Sequence, residues 1–503
     1  MKKIDQIEMH SSNYKSPQIS STGIYSLVAI IISFSFWSLF KVYYPFPNLT
    51  FDSYYYIEAA VSNSAVSTWP VGYSKFIRLI GIFTHSGNVL VTIQYIILQF
   101  SFLFLFLSIY RLIVLKKWIF NLIFIFLFIN PLFLFGSNHI MSDTLFTALS
   151  VLWVTQLIWI AYRPKPYMVF THAILLLIIF TIRYSALYYP VISISIFLLS
   201  PQSFKWKLLG IVVMILFLLG FVQYTSYKME VVTGSRQFSY TGGWKQANNA
   251  LYMYEHAFRQ NKGTVPDKFK VIDSISQSYF SKPHALVDLL EHMDVTTGTW
   301  YTSFDPSPLR QYMKVSKGID PATSDFKKLA YFGPFYNDYG NYLIKKYPLT
   351  FIKYVVTPNI ITYWFPILEI YDRHLLAFSL MDTEFGKMAR QWFGLRTIAV
   401  PENLINLRAE ILAPYGMVFT VVHILFLFTF VAFLLVKGYK GISKIYVTTV
   451  FMLAAICIVN FFFIILVAPS VLRFQLIVYI LEFINALLII NVITSQDNLK
   501  KGC

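Results

Sequence analysis

The chain has 503 residues, 56% of them hydrophobic and 13% charged, with a mean hydropathy of +0.58. That composition excludes a soluble globular domain, a disordered chain, collagen and a coiled coil, and leaves a membrane protein. A net charge of +17 would point to nucleic acid in a soluble protein, but here much of the basic excess sits in short loops between apolar runs, and no nucleic-acid partner is expected.

In chain order, residues 1–21 are polar, show no small-residue cleavage site and read as a cytoplasmic tail. Runs able to cross ~30 Å of hydrocarbon follow near 22–42, 88–110, 117–135, 141–161, 168–182, 186–200, 207–226, 414–436, 446–468 and 472–494. The fifth and sixth are short and crowd around Arg183 and Pro190, as a tight helical pair would. With the tail inside, the basic pairs Lys116 and Lys117, Lys205 and Lys207, and Lys500 and Lys501 all fall on the cytoplasmic side.

The expected fold is therefore an all-α polytopic membrane protein with about ten transmembrane helices. An N-terminal module, 22–226, carries an outer loop at 43–87; a larger, mainly helical outer segment covers 227–413; a C-terminal module and tail occupy 414–503. Within the outer segment, 347–368 is apolar but interrupted by Lys353, Pro358 and Asn359, and reads as an interfacial or re-entrant helix, an eleventh span only if it crosses. No internal repeat is visible, which counts against an inverted-repeat transporter. Cys457 and Cys503 cannot build a disulfide framework or a zinc site.

Asp52 stands just past the first span, before a short helical pattern. One reading is a helix cap, since an Asp there satisfies free N–H groups. The other is a general base at the membrane surface, taking a proton from an acceptor hydroxyl. Asp143, beside Ser142 at the mouth of the fourth span, has the same capping alternative. His139 lies one turn earlier, but one His and two carboxylates from separate loops have no recognisable ligand spacing, and no metal is assigned.

Arg183 and Arg473 stand at outer span ends, where the positive-inside rule disfavours them. Each can pair bidentately with a phosphate at headgroup level, or can snorkel or partner a loop carboxylate. Trp244, Asn248 and Tyr252 form an aromatic and amide cluster that suits a sugar or acceptor contact, or the packed first helix of the outer segment. Glu291, His292 and Asp294 fit a solvated helix face. Glu482 lies deep in the last span, where an ionisable group is costly and serves either packing or mechanism.

The order of a first span, the outer-loop T-F-D-S around Asp52, the W-P-V-G-Y turn at 69–73 and Gln94 in the second span resembles the C-fold (GT-C) glycosyltransferases, which use polyisoprenyl-phosphate sugars. So does N-P-L-F-L-F-G-S-N-H-I-M-S-D-T-L-F, with Asp143 where that superfamily carries its second acid. Protein O-mannosyltransferases and lipid A aminoarabinose transferases are its better known members. The resemblance covers most of 20–200 and the last span. It implies that Asp143 lies near Asp52 and orients the acceptor or a bound cation, and the R-F pair at 473–474 favours Arg473 as donor-phosphate ligand.

These readings converge on an inverting glycosyltransferase in a bacterial inner membrane, its site facing outward, moving a sugar from a polyisoprenyl phosphate to a protein, lipid or glycan hydroxyl. No nucleotide cofactor is expected, since no phosphate-cradling glycine motif is present, and a divalent cation has no support in the sequence. A polysaccharide polymerase or ligase using lipid-linked glycans is one alternative, and a transporter or lipid flippase, with polar residues along a midplane path, is another.

Overall fold

The computed structural model describes residues 19–259, 264–281, 298–316, 323–369, 383–395, 400–467 and 470–500. Among them there is no β-strand; two isolated bridges pair Asn48 with His139 and Ile367 with Val471. The described residues are all-helical, and their long apolar helices make the chain a multi-pass membrane protein. Among the described residues, eight helices are long and apolar enough to cross a bilayer: Thr22–Tyr43, Gly87–Leu112, Lys117–Ser137, Ser142–Tyr162, Phe204–Thr233, Glu402–Leu435, Lys444–Val467 and Leu472–Ser495. The fifth and sixth expected spans are shorter helices, Tyr167–Ile182 and Tyr184–Leu199. Arg183 ends the first of them with an extended backbone, and a tight turn over Tyr184–Tyr188 starts the second.

Leu472–Ser495 is the central helix, 83% buried over its apolar window, against 17% for Thr22–Tyr43 and Phe204–Thr233. Aromatic stacking fixes it to its neighbours: Phe483 on Phe126 and Tyr479 on Phe419, each with ring centres 4.0 Å apart. Glu402–Leu412, which the sequence places within the inserted segment, the 227–413 stretch between the two apolar modules, instead runs into Tyr415–Leu435 with Pro414 at the joint.

In the inserted segment, Thr241–Ala257 packs on Asp325–Lys346. Glycine makes the contact: a Cβ built on Gly243 would lie 2.0 Å from the Gly333 carbonyl oxygen. Residues 347–368 form Pro348–Phe351, a π-helical turn Ile352–Val356, and Thr357–Trp364. Pro358 has no N–H for the carbonyl four residues back, which accounts for the widened turn before it. Asn359 then fastens this stretch to the Ile465 carbonyl at 3.2 Å, while Leu349, Ile352, Ile361 and Phe365 stay exposed.

Candidate functional site

Two hydrogen bonds fasten the first loop to the turn before the Ser142–Tyr162 helix. The Asn48 N–H donates to the Asn138 carbonyl at 2.8 Å, and the Ile140 N–H donates to the Asn48 carbonyl at 2.9 Å. Buried Gln94 locks the same turn, donating to the Ser137 and His139 carbonyls at 2.5 and 2.7 Å and accepting from the Tyr73 hydroxyl at 3.0 Å. His139 belongs to this joint. Its Nδ1 lies 2.8 Å from the Phe135 carbonyl oxygen, and burial pushes its pKa down to about 3.

The joint brings together the starts of Phe51–Val61 and Ser142–Tyr162, which the Tyr56 hydroxyl and Ser142 Oγ bridge at 2.8 Å. Each helix carries an acid as its second residue, Asp52 and Asp143. The capping reading is corrected for both. Thr50 caps the first helix, with its N–H donating to Ser53 Oγ at 2.9 Å, and Met141 occupies the cap position of the second. Both acids are thereby released to face arginines.

Arg473 is held by three hydrogen bonds: Nη1 to Asp52 Oδ2 at 2.8 Å, Nε to Glu369 Oε2 at 2.7 Å and Nη2 to Glu369 Oε1 at 3.2 Å. Nη1 also lies 3.7 Å from Asp143 Oδ2. Arg183 pairs through Nη1 with Asp143 Oδ1. Both guanidiniums lie over the Phe474 ring, 4.4 Å from its centre for Arg183 and 4.7 Å for Arg473. The bridge between Ile367 and Val471, with the Leu472 N–H donating to the Ile367 carbonyl at 3.1 Å, delivers Glu369 to Arg473. Burial raises the Glu369 pKa, against the pull of Arg473. The sequence-selected Asp52, Asp143, Arg183 and Arg473 thus form one ion-pair network. Of the five guanidinium donors of Arg473, two make no hydrogen bond among the described residues.

A cavity of about 470 Å³ opens on this network. Asp52, Arg183, Lys245 and Arg473 supply its charges, Tyr56, Ser142, Thr241 and Asn460 are among its polar side chains, and Phe180, Phe238, Phe463, Ile464, Phe474 and Ile477 line apolar wall. Leu187 and Val467, also in the wall, are 63% and 49% exposed, so the cavity is continuous with the apolar outer surface. Asp52 Oδ1 makes no hydrogen bond among the described residues, whereas Oδ2 is held by Arg473. The arrangement offers a carboxylate oxygen, fixed cations and an apolar channel in one space.

Trp244, Asn248 and Tyr252 do not line this cavity. Trp244 Nε1 donates to the Leu329 carbonyl at 2.8 Å, Asn248 accepts from the Tyr301 N–H at 3.0 Å, and Tyr252 Oη accepts from the Trp300 N–H at 3.2 Å. All three are buried in the core of the inserted segment. Glu482 is likewise away from the cavity: it lies 2.5 Å from His423 Nδ1, and His423 Nε2 lies 3.0 Å from Gln475 Oε1. Glu291, His292 and Asp294 lie outside the described residues. Among the described residues no group of three or more His, Cys, Asp and Glu side chains could hold a metal ion.

Sequence reasoning missed Glu369 and Lys245, and took Phe474 only as part of the R-F pair, without its contact to both guanidiniums. Glu369 lacks any spacing signal, because a single backbone bridge brings it to Arg473. Lys245 could have been found as the one cation of the Thr241–Ala257 stretch, between Trp244 and the amides. The chain matches no family model, no curated protein and no solved structure.

Proposed function

We propose that the protein is an inverting glycosyltransferase that takes a sugar from a polyisoprenyl-phosphate donor and passes it to an acceptor hydroxyl at the outer face of the membrane. The observation that carries this reading is the meeting of Asp52, Arg183 and Arg473, with Asp143 paired behind Arg183, on a cavity whose remaining wall is largely apolar and runs out to the exposed apolar surface. An amphiphile with a charged head and a hydrocarbon chain matches that division.

In the proposed reaction Asp52 Oδ1 takes the proton of the acceptor hydroxyl. The acceptor oxygen bonds to the anomeric carbon from the face opposite the phosphate, and the bond from that carbon to the phosphate oxygen breaks with its electron pair. The leaving group is already an acid anion, so no strong general acid is needed; the cations facing the cavity neutralise its charge. Asp143 positions Arg183. Purified protein incubated with radiolabelled polyprenyl-phosphate and polyprenyl-diphosphate sugars, with protein, lipid and glycan acceptors separated afterwards, tests the reading. Label moving to an acceptor with inverted configuration supports it. Donors that stay intact with every acceptor, while the protein moves an intact lipid across vesicles, would replace it with transport.

A further inference from the structure

The two arginines that the sequence marks as phosphate ligands are already engaged. Arg183 faces Asp143, and Arg473 faces Asp52 and Glu369, so three carboxylates balance their charge. Lys245 differs. It lines the same cavity, yet among the described residues no carboxylate lies within ion-pair distance of its ammonium and no hydrogen bond holds it.

The backbone around it has the same character. Thr241–Ala257 begins at the cavity, with Thr241, Gly242 and Lys245 in the wall. Tyr240, at the cap position, gives no side-chain cap, and the Thr241 hydroxyl is taken up by Ser239 Oγ at 2.8 Å. The first N–H groups of a helix have no intrahelical acceptor, and together with the dipole they attract an anion. Nothing lies within 4 Å of where a Cβ of Gly242 would stand, so the first turn presents bare backbone to open space. Thr241 and Lys245 are four residues apart and share that face.

We infer that Lys245 and the first turn of the Thr241–Ala257 helix form the seat for a phosphate group in the cavity, and that this seat, more than the paired arginines, sets affinity for a phosphate-bearing ligand. The inference rests on the reading of the cavity as the site of a lipid-linked phosphate. Three side chains set the charge around the seat: Arg183 from the end of the Tyr167–Ile182 helix, Arg473 from the Leu472–Gln475 turn and Asp52 from the Phe51–Val61 helix. Burial, then Arg183 and Arg473, lower the Lys245 pKa to about 8, and Asp52 opposes them. A phosphate would offset the repulsion among the three cations. Because the ammonium is the binding form, affinity is full below about pH 8 and falls as the pH rises through that value.

Binding of farnesyl phosphate and of inorganic phosphate to the detergent-purified full chain, by calorimetry from pH 7 to 10, tests this. Wild type should bind farnesyl phosphate and lose affinity above about pH 8. Lys245→Gln should weaken binding at pH 7 by roughly 10- to 100-fold, the worth of one hydrogen bond to a charged group. Lys245→Arg should keep affinity and lose the alkaline fall, since a guanidinium stays charged. Gly242→Asp separates binding from folding: an acid in the first turn favours the helix but repels an anion, so it should weaken binding without lowering the melting temperature. Equal affinity for inorganic phosphate would keep the seat and overturn the lipid-linked source. Wild type that binds neither probe would overturn the proposed function together with the seat. Wild-type binding left unchanged by Lys245→Gln and Gly242→Asp would overturn the seat alone.

Discussion

The Arg473 guanidinium donates to the Asp52 carboxylate at 2.8 Å, although 421 residues separate the two in sequence. This contact ties the first loop to the turn that opens the last span. Glu369 grips the other edge of the same guanidinium from a left-handed backbone, φ 49°, which costs a non-glycine residue of order 1–3 kcal/mol and is held by the surrounding contacts.

Arg473→Ala would strip donors from Asp52 and Glu369 in a setting where Arg473 is only 12% exposed. Losing one partner of a largely buried pair costs about 3 kcal/mol, so the variant should melt at a clearly lower temperature in detergent. Arg473→Lys should recover only part of this, because an ammonium cannot meet the two Glu369 oxygens side by side. An unaltered melt for Arg473→Ala would contradict the assignment of this network as a joint between the modules.

Gly243→Ala tests how the inserted segment is seated. The added methyl would fall 2.0 Å from the Gly333 carbonyl oxygen, so the helix pair must separate. Overpacking of this kind costs about 1–3 kcal/mol, and thermal unfolding should register it. Gly242→Ala, next to it but facing open space, should leave the melt nearly unchanged.

His139 makes stability pH-dependent. Its folded pKa, about 3, lies below its ordinary value of 6.5, so between those values the unfolded chain binds a proton that the folded chain refuses. Stability from this group is full above pH 6.5 and falls as the pH drops toward 3, by up to about 1.4 kcal/mol per pH unit. Melting temperatures from pH 7.5 to 4.5 should decline for wild type and less steeply for His139→Gln. Parallel curves would contradict a buried neutral imidazole at this joint.

What the sequence carried most clearly was hydrophobicity and misplaced charge. Long apolar runs marked the spans, and Arg183 and Arg473 stood out because arginine at an outer span end defies the usual charge bias. Asp52 and Asp143 stood out as acids at helix starts, although their caps prove to be Thr50 and Met141. The inserted segment was harder to read. Trp244, Asn248 and Tyr252 have the chemistry of a sugar contact, yet the close helix packing at Gly243 turns them into core and leaves Lys245 at the cavity. Glu369 could not be found from spacing, because a lone bridge between Ile367 and Val471 places it.

The most direct measurement is the transfer rate of Asp52→Asn, taken with its melting temperature on the same preparation. The amide oxygen can still accept from Arg473 Nη1, so the fold and donor binding should survive, but the side chain can no longer take a proton. General base catalysis contributes roughly 10²- to 10⁴-fold, and turnover should fall by at least that order. Near-normal turnover in folded Asp52→Asn protein would contradict the account at its centre.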